Sequence, residues 1–455
     1  MLNKIWRKLV SPKNLASSSE QTLSKPVLVP RNEHSVSRKD ISRNATKVLY
    51  RLNEAGFQAY LVGGGVRDIL LGLHPKDFDI ATDATPEEIN KLFRNSRIIG
   101  RRFRLVHIMF GREVIEVATF RAGHDDSCQS KAKTSAHGML VRDNVFGNLE
   151  EDAFRRDFTV NALYYTVEDF SVLDYVGGLE DLEKKQLRLI GDPMTRYRED
   201  PVRILRAIRL SCKLGLSIEP KTAAPIKGLA EMLAHISPAR LWEESNKLFL
   251  AGHAYKTWHE LLKREVAQHL FPETINALKK ETSGKFAAFI DQALNSTDKR
   301  IQQQQPVTPA FLFAVFLWQP VQDETQRLLK KGMVAYEASQ KSASKMFDRQ
   351  RQTIAVPKRF SITAREIWSL QFRLFNRRKK NVDSLIAHPK FRAAYDFLCL
   401  RAGKEQELKE LADWWTDFQN AAPENRFEMI KKATKDTPNR NKRRRKSNSF
   451  NKNKK

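Results

Sequence analysis

PKDFDIAT, residues 75–82, carries two carboxylates two positions apart, Asp77 and Asp79, leading into an apolar run. The run reads as a β-strand, and strand positions two apart point to one face, so both carboxylates project together. Neighbouring like charges repel unless a cation sits between them. A divalent metal that prefers hard oxygen ligands, Mg²⁺ above all, is the natural cation. A lone DxD suits a surface turn equally well, so its neighbours must decide.

Immediately upstream, Gly63-Gly64-Gly65-Val66-Arg67-Asp68 follows the strand-like FQAYLV (57–62) and opens a short helix, Val66 to Leu71. Glycines at such a junction let backbone N–H groups approach a phosphate, and Arg67 offers a fork of donors. A tight turn with an exposed salt bridge is the alternative. The stretch is neither a dinucleotide fingerprint, since Asp68 stands where a third glycine belongs, nor a P-loop, since no GK[ST] follows. Downstream, Glu116 interrupts the apolar run VIEVATF (114–120). A buried carboxylate there costs several kcal/mol without a partner, roughly 2 or more. Either the strand is an edge with that face in water, or Glu116 is a third metal carboxylate beside Asp77 and Asp79.

Further outward, apolar Val48, Leu49, Leu52 and Ala55 at helical spacing predict a helix stopped by Gly56. Thr85-Pro86-Glu87-Glu88 predicts a helix start. Leu105–Phe110 and Val114–Phe120 predict a hairpin around Gly111-Arg112. Residues 121–148 are polar and read as a long mobile loop. From about 150 the pattern is almost wholly helical, apart from a short strand SVLDYV before Gly177-Gly178. The fold class is therefore α+β: a small head with a mixed or antiparallel sheet, then an all-α remainder. The expected divisions are a flexible basic leader at 1–40, the head at 41–180, a helical neck carrying a nucleotide-selecting motif at 181–250, an RNA-binding helical body and leg at 251–430 and a disordered basic tail at 431–455.

These motifs, in this order, resemble the nucleotidyltransferase head of the class II CCA-adding enzyme and bacterial poly(A) polymerase family. VGGGVRD, DFD and IEVATFR match its glycine turn, DxD strand and later strand carboxylate; RRDFTVNAL (155–163) and EDPVR (199–203) match two further elements. The resemblance implies a nucleotidyltransferase using two Mg²⁺ ions held by Asp77, Asp79 and Glu116. They would activate an RNA 3′-hydroxyl against the α-phosphate of ATP and steady the leaving pyrophosphate. It implies that Asp157 and Asn161, four apart and placed on one helical face, hold the nucleotide sugar, Asp157 counting with Asp77 and Asp79 as catalytic. Gly63, Gly64 and Arg67 would serve the phosphates. Asp200 and Arg203, with Arg206 and Arg209 further along the same helix, would read the incoming base, Asp200 also capping that helix.

The segments IGRRFRLVH (99–107), PARLWEESNKLFLAG (238–252), TPAFLFAVFLW (308–318), REIWSLQFRL (365–374) and HPKFRAAYDFLCLRA (388–402) resemble the poly(A) branch rather than the CCA-adding one. The expected partners are RNA 3′ ends, ATP and factors of RNA decay, and the protein is expected to be a monomer. The alternatives are a CCA-adding tRNA nucleotidyltransferase and a non-catalytic RNA-binding scaffold.

Composition agrees with a polyanionic partner: 80 basic against 53 acidic residues give +27 over 455 residues. Residues 431–455 hold twelve Lys/Arg and the single acid Asp436, so the tail supplies +11 and the rest +16. Three cysteines far apart (Cys128, Cys212, Cys399) form no CxxC and suit a reducing compartment. The start MLNKIWRKLV lacks a secretory apolar core, and the longest apolar run, Ala310 to Trp318, is too short to span a bilayer. A soluble, cytoplasmic protein is expected. Deleting residues 431–455 should weaken RNA binding and flatten its salt dependence without removing catalysis. If three of the twelve cations reach phosphates, the log–log slope falls by roughly 2; an unchanged slope would refute the role.

Overall fold

The computed structural model describes residues 26–100, 104–122, 133–134, 140–142, 145–403 and 405–436, and divides into two units, one up to Leu233 and one from Ala234. Most of the loop expected at 121–148, residues 101–103 of the basic stretch, and the tail beyond 436 lie outside the described residues.

The first unit is built on an eight-stranded mixed sheet. Its strands are β1 (Val27–Val29), β2 (Ala59–Val62), β3 (Asp79–Thr82), β4 (Ser96–Ile99), β5 (Leu105–Phe110), β6 (Glu113–Thr119) and, after the small separate pair β7 (Lys133–Thr134) and β8 (Leu140–Arg142), β9 (Leu163–Thr166) and β10 (Val172–Asp174). The order is β1-β10-β9-β2-β3-β6-β5-β4, with β3 and β6 parallel and every other neighbouring pair antiparallel. Helix α1 (Arg43–Glu54) buries Val48, Leu49 and Leu52 of the predicted stripe together with Ala45, while Ala55 is its exposed C-cap. Helix α2 (Gly64–Leu70) leaves the glycine turn, and α3 (Pro86–Leu92) starts with the capping box Thr85/Glu88. Helices α4 (Leu149–Arg155), α5 (Gly178–Glu183), α6 (Pro193–Glu199) and α7 (Val202–Leu214) complete the part that carries the site.

Three expectations need correction. Residues 26–40, placed in the leader, pack onto the head: β1 pairs with β10, and Val29 and Val36 are buried. The strand β9 falls where helix was expected. All four of its residues are buried, so it lacks the alternation that marks a half-buried strand. At the other end, a helix Pro423–Asp436 occupies the first six residues assigned to the tail.

The second unit is helical throughout its described residues. One core gathers Leu370, Leu374, Leu385, Phe391, Leu398 and Trp415, with the Trp415 indole N–H donating to the Leu374 carbonyl at 3.0 Å. Another stacks Phe249, Trp258, Phe271, Phe313 and Phe316 at ring separations such as 4.6 Å for Phe271–Phe316. No helix among the described residues is long and apolar enough to cross a membrane.

One close approach in the first unit bears on the site. A Cβ at Gly178 would lie 2.3 Å from the Thr159 carbonyl oxygen, a backbone atom that no side-chain rotation can move away. Gly178→Ala should therefore displace the turn Thr159–Asn161 and destabilise the unit by about 1–3 kcal/mol. A lowered urea midpoint for this variant checks it, and a midpoint equal to wild type would show that the turn yields freely.

Candidate active site

The sheet register assembles the site. Val62, the last residue of β2, pairs with Asp79, the first of β3, and Asp79 pairs in turn with Glu116 on β6. The glycine turn beginning at Gly63 therefore starts beside Asp79. Gly63 has φ 73° and ψ −130°, a conformation that side chains resist, and its carbonyl accepts the Arg67 N–H at 3.2 Å. Gly65 serves close packing: a Cβ there would sit 3.7 Å from the Asp77 carbonyl oxygen and 3.5 Å from the Phe78 ring. The turn thus lies directly against the Asp77–Asp79 segment.

Asp77 precedes β3 rather than belonging to it, so the shared-face argument for Asp77 and Asp79 holds only at the strand's mouth. The Asp79 carboxyl is pushed up to about 6 by the protein packed around it, then by the charges of Glu116 and Asp77, with Arg156 pulling the other way. Glu116 is half-exposed and meets His107 Nε2 at 3.2 Å. Among the described residues no three His, Cys, Asp or Glu side chains close into a ready metal cage. The donor set still fits a hard divalent cation: carboxylate oxygens in register, at least one destabilised as an anion by the others.

Asp157 and Asn161 do meet, though not on a helical face. Helix α4 ends at Arg155, Phe158 is extended, and Thr159–Asn161 is a single tight turn. Through that bend Asn161 Nδ2 donates to Asp157 Oδ1 at 3.1 Å. The other Asp157 oxygen takes Arg206 Nε and Nη2 at 2.6 and 2.5 Å. Against the cost of burial, Arg206, Asn161 and the Phe158 N–H draw the Asp157 carboxyl down to about 2.

Arg67 is nearly fully buried, and its fork faces protein rather than open space. Nε and Nη2 donate to Asp68 Oδ1 at 2.8 and 2.5 Å, and Nη1 donates to Asn161 Oδ1. Lys213 on α7 approaches the other Asp68 oxygen at 3.6 Å. The chain Asp68, Arg67, Asn161, Asp157, Arg206 thus ties α2 to α7, and Lys213 closes the circuit.

Helix α7 buries Val202, Ile204, Leu205, Ala207, Ile208 and Leu210, leaving Arg203, Arg206 and Arg209 as a partly buried stripe at every third position, Arg206 more open than Arg203. Arg203 Nη1 donates to Glu199 at 2.8 Å and to the Arg196 carbonyl at 2.6 Å. Asp200 Oδ1 accepts the Val202 N–H at 3.2 Å, the expected cap. Two residues escaped the sequence reading. Arg156 is clasped by Asp152 at 2.9 Å and by the Tyr164 hydroxyl, and its charge acts on Asp79. Arg196 Nη2 ties α6 to the Arg155 and Arg156 carbonyls at 2.6 and 2.7 Å. The doubled arginine of RRDF was the available signal for Arg156; Arg196 had none.

Three family models match in sequence: a poly A polymerase head domain over 59–188, a probable RNA and SrmB-binding site of polymerase A over 215–278, and a polymerase A arginine-rich C-terminus over 331–449. A curated poly(A) polymerase I of Salmonella typhimurium is 50% identical over 94% of this chain and 93% of its own length. A CCA-adding enzyme of Lactobacillus helveticus is 38% identical over 50% of this chain and 55% of its own. Among solved structures, the Bacillus stearothermophilus CCA-adding enzyme in complex with CTP shares the fold at TM-score 0.56 and 24% identity, over 87% of this chain and 82% of that one. Similarity to the CCA-adding relative stops at half the chain, whereas the other continues through nearly all of it, and the chain belongs to the bacterial poly(A) polymerase I family.

Proposed function

We propose that this chain is a poly(A) polymerase that adds AMP from ATP to RNA 3′ ends and releases pyrophosphate. The observation that carries the reading is the register Val62–Asp79–Glu116, which sets paired carboxylates against a glycine turn. In the reaction the 3′-hydroxyl oxygen bonds to the α-phosphorus, the bond to the β-phosphate oxygen breaks, and the hydroxyl proton is lost to solvent. Asp77, Asp79 and Glu116 are the residues that would hold Mg²⁺, which when bound neutralises the charge gathering on the phosphates. Two such ions is the count we favour.

The protein's share is positioning and electrostatics. The turn at Gly63 and Gly64 offers backbone N–H groups without side-chain bulk. Asp157 stays ionised at any working pH and is held from both sides, so it can accept from the sugar hydroxyls without swinging. Arg206 supports Asp157 rather than reaching freely for a base, and Arg67 acts through Asn161. Asp200 and Arg203 stay with base reading, Arg203 held by Glu199 and the Arg196 carbonyl. The helices after α7 fall in the 215–278 match and suit the RNA strand.

Asp79→Asn should lower kcat by about 100-fold or more, roughly 2.7 kcal/mol of transition-state stabilisation. Single-stranded RNA affinity should stay within severalfold, and the thermal shift caused by Mg²⁺ should disappear. Wild-type turnover in this variant would overturn the metal assignment. To separate the family's two branches, the purified chain can be given ATP or CTP with an unstructured RNA and with a tRNA lacking its CCA end. Long adenylate tails on the unstructured RNA are expected. Efficient CTP use that stops after three nucleotides would establish CCA addition instead.

A further inference from the structure

A cavity of about 720 Å³ opens in the second unit among the helices Lys285–Gln302, Pro309–Phe316, Lys358–Leu374 and Phe391–Ala402. No residue lining it falls within 215–278, the segment whose family model is described as RNA-binding. Four cations line it, Arg300, Arg359, Lys390 and Arg392, against one acid, Asp396. Asp396 is shared by Arg392 at 2.9 Å and Arg300 at 4.0 Å, so one carboxylate is set against two guanidinium groups. Arg359 and Lys390 have no acidic partner among the described residues; the Arg359 guanidinium lies over the Phe360 ring at 4.7 Å.

The larger cavity of the same unit, about 900 Å³ around residues 324–352, differs in this respect. There Glu324 holds Arg327 and Lys345, and Glu273 holds Arg349. Three acids, Glu324, Glu337 and Asp348, line it beside five cations, with Glu273 adding a fourth, whereas the 720 Å³ groove sets one acid against four cations.

Two rings line the groove, each half-buried: Phe311 meets Phe397 edge-on at 6.0 Å, while Phe360 is packed on Trp242 at 5.2 Å and under the Arg359 guanidinium, so Phe311 is the ring with a face to offer. Phe311 departs from its helix neighbours Phe313 and Phe316, which are buried. A cationic rim around a partly open aromatic face is the combination that single-stranded nucleic acid requires. Phosphates meet the charges, and bases stack on rings without regard to sequence.

We propose that this groove seats a stretch of single-stranded RNA upstream of the 3′ end, with phosphates on Arg359, Lys390, Arg300 and Arg392 and a base against Phe311. The proposal rests on the reading above that the chain acts on RNA. It adds a second hold on the strand, apart from the head and apart from the 215–278 segment. A strand too short to reach it would be extended without it.

The test uses the full chain carrying Arg359→Glu with Lys390→Glu, and separately Phe311→Ala. Binding of a fluorescent 20-nucleotide oligoadenylate is measured by anisotropy across salt concentrations. AMP addition is measured on that RNA and on a saturating 5-nucleotide primer. The charge-reversed chain should bind the long RNA at least about tenfold more weakly, with a salt slope smaller by roughly 1–2. Phe311→Ala should lose about fivefold or more in affinity with its slope unchanged, as expected for stacking. Extension of the short primer should match wild type in both. Unchanged long-RNA affinity in both variants overturns the proposal, as does an effect on ATP affinity in place of RNA affinity. Because binding is read without turnover, a wild-type chain that bound RNA but added no nucleotide would refute the enzymatic reading and leave this one standing. Arg359→Ala with Lys390→Ala repeats the measurement should the reversed chain fold poorly.

Discussion

Asp79 is held by the sheet in a place its own charge disfavours. Parallel pairing of β3 with β6 fixes it opposite Glu116, and antiparallel pairing with β2 fixes it against the glycine turn. Backbone hydrogen bonds of two ladders hold that register, so the carboxylates cannot relieve their repulsion by slipping: a one-residue shift would turn every apolar side chain of these strands to the wrong face. What remains is to splay, to take up a proton or to bind a cation. Burial and the charge of Glu116 raise the Asp79 carboxyl, and Glu116 itself pairs with His107. Binding a cation is the response that chemistry on polyphosphates can use.

Around this pair the rest of the site is tied by hydrogen bonds from arginines, one of them an ion pair, between chain segments distant in sequence. Asp157 reaches Arg206 on α7, Arg67 reaches Asn161, and Arg196 gathers the carbonyls that end α4. Each is mostly buried, and pairs of this kind are weak arguments for net stability because desolvation offsets much of the Coulomb gain. Their consequence is geometric. Removing one partner strands a buried charge, so the relation of α2 to α7 is held to one arrangement.

How much of this could be read in advance depends on the kind of signal. Capping at Thr85 and Asp200, the stripe of α1 and the hairpin around Gly111 are local, and the sequence states them openly. The approach of Glu116 to Asp79 was legible only as a charged residue out of place in an apolar strand. β9 was hidden, because a strand covered on both faces carries no period, and the pairing of β1 with β10 joins residues almost 150 apart. The bend between Asp157 and Asn161 was misread for a related reason: a spacing of four suits a helix, and only the tertiary fold reveals that a tight turn brings the same two side chains together. Arg67 read equally as a phosphate ligand or as the salt-bridge partner of a tight turn; its neighbour Asp68 takes Nε and Nη2, while nothing in the order of residues reveals that Asn161, 94 positions on, takes Nη1.

Selection of a base without a template demands rigidity more than charge. A flexible arginine hydrogen-bonds to any acceptor it meets, so it discriminates little. A fixed one rejects the wrong base because its partner groups are left unpaired in a dry site. Arg203 meets this condition, since Glu199 and the Arg196 carbonyl hold its Nη1 while Asp200 caps the helix it stands on. Arg196 in turn is anchored to the carbonyls next to Asp157. The residues that would read the base and the residue that would hold the sugar therefore share one scaffold. A nucleotide whose base fits poorly against Asp200 and Arg203 cannot be accommodated by moving them, because Asp157 and its neighbours would have to move as well. On this argument, preference for one nucleotide resides in how firmly α6 and α7 are clasped to the end of α4, as much as in the two side chains that face the base.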